Sequence, residues 1–193
     1  ELPDSTVISP REALVSVFSY YPFCYYRNPD REYPQHFPGQ PLSMVLAHRR
    51  AYTRVMHYVC GMAKEAVSIF KQAAATPGCN QEAAHRMVYE CLNIQTLVED
   101  WMAFLKIYDL TQGGDQKKIA PIAKARQSAR LALMELCEQT KEDWACKGAT
   151  MRNHSVFMQT FADIAAYIES TDAPQLDLLN IKPIMSKENH MIR

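Results

Sequence analysis

Histidines and acids at helical spacing are the first residues of this sequence that could do chemistry. Glu82 and His85 have the Glu-x-x-His spacing that supplies one half of a di-iron site in a four-helix bundle. The other half is missing, because Glu188 stands only two residues before His190 near the end of the chain. We therefore interpret Glu82 and His85 as exposed residues at the start of a helix, and we expect no metal and no cofactor.

The remaining candidates for catalysis are single polar residues on predicted helices. His154 lies in a polar helical stretch, Arg152 to Ser155, but no acid is placed in the sequence to orient its imidazole, so a catalytic triad is not supported. Arg50 and His57 are seven residues apart, an order that loosely resembles helical nucleases of the HEPN class, although a solvated stripe is the favoured interpretation. The six glycines form no phosphate-binding pattern.

The charge balance argues against nucleic acid and anionic membranes as partners. The chain has 21 Lys and Arg against 21 Asp and Glu, whereas such binders usually carry a basic excess. One predicted helical segment nevertheless has five basic residues with no acid among them, and it is the best candidate face for an RNA backbone: Lys117, Lys118, Lys124, Arg126 and Arg130. A solvated helix face is the alternative.

The six cysteines form no Cys-x-x-Cys pair, so structural zinc is not expected. An even count permits three disulfides in a secreted protein. However, Cys60, Cys91 and Cys137 fall on apolar helix faces, where a free thiol packs as a small hydrophobic group. We therefore favour reduced thiols in an intracellular or organellar protein. The chain begins at Glu1 rather than Met, as a trimmed or processed start would.

The sequence divides into an arm, a helical domain and a tail. Residues 1–41 are predicted to contain one short helix from Pro10, followed by a segment too rich in proline for further helix. The aromatic rings of this proline-rich segment are expected either to cover grooves of the helical domain or to bind a protein partner. The aromatic residues proposed for partner binding are Tyr20, Tyr21, Phe23, Tyr25, Tyr26, Tyr33 and Phe37. Residues 42–170 form the all-α domain, and residues 171–193 form an extended tail.

Apolar residues recur every seven positions in the first helical segment, at Val45, Tyr52, Val59 and Ala66, which predicts a stripe that faces the core. Met56 and Ala63 lie beside this stripe. Gly61 is the predicted break in this segment, and Pro77 and Gly78 end it.

The later helices have their own start and stop signals. Asn80 is the predicted N-cap of the next helix, and Gly113 and Gly114 are its predicted end. A last helix is predicted from Thr150, and its inward face includes Phe157, Phe161, Ile164 and Ala165. No apolar run is long enough to span a membrane.

The stretch Arg86–Trp101 recurs in part at Arg130–Trp144. Arg, Gln-Thr and Glu-Asp-Trp appear in the same order in both, offset by 44 and then 43 residues. Thr96 and Glu99 fit a capping box, which predicts that a new helix begins after Thr96, and Thr140 gives a weaker form of the same signal. The alternative is one unbroken helix from Gln81 to Leu110.

Such helix-turn-helix units resemble degenerate pentatricopeptide or tetratricopeptide repeats, with residues 51–78 nearest to the pentatricopeptide pattern. The pattern's positions there are Ala51-Tyr52, Val55-Met56, Cys60-Gly61, Glu65-Ala66, Ile69-Phe70 and Gly78. The resemblance implies a short α-solenoid of antiparallel helical hairpins; an ordinary four- or five-helix bundle is the alternative.

Three functions follow from these observations. The first is a non-catalytic accessory subunit that binds the protein subunits of a larger assembly. In size and fold it resembles the small pentatricopeptide-like subunits on the catalytic head of euglenozoan mitochondrial ATP synthase, which implies a mitochondrial location. The second is an organellar protein that binds single-stranded RNA. The third is a small helical enzyme with its site in the bundle core.

Overall fold

The computed structural model describes residues 45–140 and 147–170. Nearly all of these residues are helical and none lies in a strand, so the all-α prediction is confirmed for the described part of the chain. The helices are α1 (Arg49–Ala75), α2 (Gln81–Gln112), a 3₁₀ turn (Gln116–Lys118), α3 (Ile119–Gln139) and α4 (Lys147–Glu169). Residues 45–47 are also helical, and a turn at His48 separates them from α1.

The ends of α2 follow from local sequence signals. The side-chain oxygen of Asn80 accepts a hydrogen bond from the Ala83 backbone N–H at 3.0 Å and so caps the first turn. At the other end, Gly113 is the C-cap, and Gly114 has a φ of 72°, a conformation that favours glycine. These stops were predicted correctly, as was the end of α1 before Pro77.

Consecutive helices run antiparallel and form two hairpins. In the first, Arg49 near the start of α1 pairs with Asp109 near the end of α2. In the second, Lys124 near the start of α3 contacts Glu169 at the end of α4. One apolar core includes residues of all four helices, and the ring of Phe104 on α2 stacks on that of Phe161 on α4, 4.9 Å between centroids.

The core stripes that periodicity predicts are largely present. On α1, Tyr52, Met56 and Ala63 are buried, and Val59 is partly buried against the core. On α4 the inward residues Phe157, Phe161, Ile164 and Ala165 are buried. This helix begins at Lys147, before the predicted start, and it includes Gly148.

The predicted helix breaks at Gly61 and Thr96 are wrong. Gly61 lies within α1, where burial of residues on the other side of the helix outweighs the roughly 1 kcal/mol that a mid-helix glycine costs. Thr96 lies in the middle of the 32 residues of α2, and it is buried. The acid that would complete its capping box, Glu99, instead bonds Arg126 of α3. The alternative, one unbroken helix, is therefore correct.

The two copies of the repeated stretch occupy different structural positions. Gln95 and Thr96 lie in mid-helix, whereas Gln139 is the last residue of α3 and Thr140 is its C-cap. The rest of the second copy lies in residues 141–146, outside the described residues. The matching residues therefore do not occupy equivalent positions in the fold. The relationship to helical-repeat families stays a prediction.

The predicted arm and tail, with the seven aromatic residues proposed for partner binding, lie outside the described residues. No helix within the described ranges is long and apolar enough to cross a membrane.

Candidate functional site: a buried charge and histidine network

Asp100 of α2 is fully buried and lies between two arginines of α3. Arg126 Nε donates to Asp100 Oδ1 at 2.6 Å, and Arg130 Nε donates to Asp100 Oδ2 at 2.6 Å. The arginines are four residues apart, so they lie one above the other on the same face of α3. Burial raises the pKa of Asp100, while the two guanidiniums act in the opposite direction. With a fixed cation on each oxygen, we assign Asp100 as a carboxylate.

Glu99 completes the charge balance next to Asp100. Arg126 Nη1 donates to Glu99 Oε2 at 2.8 Å, and Arg126 Nη2 donates to the Thr96 carbonyl at 3.0 Å. Burial acts to raise the pKa of Glu99, but hydrogen bonds from Gln95 and Arg126 outweigh it, so this pKa lies below its usual value. Two acids on α2 therefore face two arginines on α3.

His154 connects this cluster to α4. Arg130 Nη1 lies 2.8 Å from His154 Nδ1, and a guanidinium can only donate, so Nδ1 accepts and the ring proton resides on Nε2. Nε2 then donates to the Tyr89 hydroxyl at 2.8 Å. Burial and the charge of Arg130 lower the pKa of His154 to about 4, so the imidazole is neutral near pH 7.

Tyr89 ends the network on α2. Its hydroxyl accepts from His154 and is also hydrogen-bonded to the thiol of Cys137 on α3. Burial, followed by the bond to Cys137, raises the pKa of Tyr89, so the phenol stays protonated. The Arg130 guanidinium also lies 4.2 Å from the centroid of the Phe157 ring, a cation–π contact with α4. The network thus joins α2, α3 and α4.

The geometry favours a structural use of these groups over catalysis. His154 is 1% exposed, and both of its ring nitrogens are engaged in hydrogen bonds. Asp100, the acid that sequence reasoning could not find for His154, acts on it through Arg130. The sequence does contain a signal for this network: two adjacent acids on one predicted helix, and two arginines four residues apart on the next. That pattern is common on helix surfaces, so it is not specific to a buried cluster.

The structure corrects the predicted basic face. Arg130 is 2% exposed and Arg126 is largely buried in its ion pairs, so neither belongs to a solvated or RNA-binding surface. Lys117 is exposed, Lys124 contacts Glu169 at 2.5 Å, and Lys118 pairs with Asp115.

The other candidate residues lie apart from the network. Glu82, His85, Arg50 and His57 are exposed, as interpreted from the sequence. Within the described ranges, no group of His, Cys, Asp and Glu is arranged to hold a metal ion.

The cysteines of the described ranges are free thiols. The three that were predicted to pack on apolar helix faces, Cys60, Cys91 and Cys137, are buried. Cys79 is exposed. Cys24 and Cys146 lie outside the described residues.

We predict that Arg130→Met lowers the free energy of unfolding by about 3–5 kcal/mol, because it leaves buried Asp100 with one cation for its two oxygens. The control is Arg49→Met, which breaks a pair with Asp109 whose side chains are both 42% exposed, and should cost less than about 1 kcal/mol. Urea denaturation of both variants measures the difference. Equal losses would show that the buried cluster does not stabilise the fold.

We predict that acid destabilises this protein partly through His154. The pKa of His154 is lowered to about 4 in the folded chain, from an ordinary value of 6.5, so the unfolded chain takes up the proton first as the pH falls. The free energy of unfolding should therefore drop by about 2 kcal/mol between pH 7 and pH 5, at 1.36 kcal/mol per pKa unit. The groups that face the imidazole are Arg130 and Tyr89.

Urea midpoints of the wild type and of His154→Gln at both pH values measure this effect. The variant should lose stability over this interval by about 2 kcal/mol less than the wild type. The same pH dependence in both proteins would contradict the assignment.

Comparison with known proteins adds no relative. No protein-family model matches the sequence, and no curated protein or solved structure is significantly similar to it.

Proposed function

We propose that this chain is a non-catalytic helical accessory subunit that binds protein subunits of a larger assembly. The observation that carries the proposal is a set of large apolar side chains exposed on the helix surfaces. On α1, Tyr58, Met62 and Ile69 are 69%, 54% and 55% exposed, and on α2 Met87 and Ile94 are 40% and 37% exposed. Regular apolar stripes on a folded surface are typical of protein-binding faces.

The burial of the polar groups supports the same function. The groups best suited to acid–base chemistry, His154, Tyr89 and Asp100, are enclosed between helices and bonded to one another. Six large apolar side chains of the described ranges are instead exposed on the helix surfaces. A site for chemistry needs the opposite arrangement, with polar groups directed into an open pocket.

The kind of assembly is a finer part of the proposal. A mitochondrial complex such as ATP synthase is our choice, on the resemblance in size and predicted hairpin architecture to its small pentatricopeptide-like subunits. The alternative of RNA binding has lost Arg126 and Arg130 from its predicted face, because both are committed to ion pairs. The alternative of a small enzyme is supported only by His154, which is enclosed between helices. RNA binding and enzyme activity both stay predictions, and one experiment distinguishes them from the accessory subunit.

We predict that the protein migrates as part of a large particle when its source cells are extracted gently, and that ribonuclease does not change this. Native electrophoresis with immunodetection, with and without ribonuclease, measures the size. The purified chain on the same gel supplies the size of the free protein, and ribosomal RNA in the same extract shows that the nuclease was active.

The result has three outcomes. A large particle that survives ribonuclease supports the subunit, and its composition by mass spectrometry identifies the assembly. Release by ribonuclease would replace the proposal with RNA binding. Migration at the free size in both lanes would contradict any stable assembly and restore interest in the enclosed histidine.

A further inference from the structure

We draw no further inference here: the strongest candidate, the stripe of exposed apolar side chains formed by Tyr58, Met62 and Ile69 on the outer face of α1, is interrupted by exposed Glu65, and nothing in the described residues shows what covers it.

Discussion

Asp100 has to be neutralised where it lies, and this requirement organises the described fold. A carboxylate without solvent contact costs several kcal/mol unless it is paired and hydrogen-bonded. Two arginines spaced by one turn of α3 meet the requirement, and so they fix the rotation and the height of α3 on α2. Arg130 then needs partners for the rest of its guanidinium, and His154 and Phe157 supply them from α4. One buried charge thereby determines how three helices meet.

The same constraint explains why α2 is long and unbroken. A helix start after Thr96 would use Glu99 to cap its own backbone. In the structure Glu99 bonds Arg126, and the Thr96 carbonyl accepts a second bond from the same guanidinium. Long-range ion pairs thus replace a local cap. They leave a 32-residue helix whose second half is buried among its neighbours.

Local signals in the sequence were sufficient for some features and not for others. The Asn80 cap, the stop at Gly113 and Gly114, and the burial of Tyr52 and Met56 depend on neighbours within a few residues, and each was predicted. The network depends on residues 26 positions apart in the pair of Asp100 with Arg126, and 65 apart in the pair of Tyr89 with His154. A Thr-x-x-Glu pattern looks the same in a capping box and in mid-helix, so only these distant partners could decide between them. The prediction of a basic face was wrong for the same reason, because Arg126 and Arg130 form ion pairs with acids on another helix.

The most direct test of this account is native-state hydrogen exchange at low denaturant concentrations. The account states that the buried cluster joins α2, α3 and α4 into one cooperative unit. It predicts that backbone amides beside Asp100, Arg130 and Phe157 exchange only by global unfolding, with one common free energy and one common dependence on denaturant. The contradictory result is exchange in α3 and α4 at a free energy several kcal/mol below that of α2. The second hairpin would then open by itself, and the cluster would not hold the helices together.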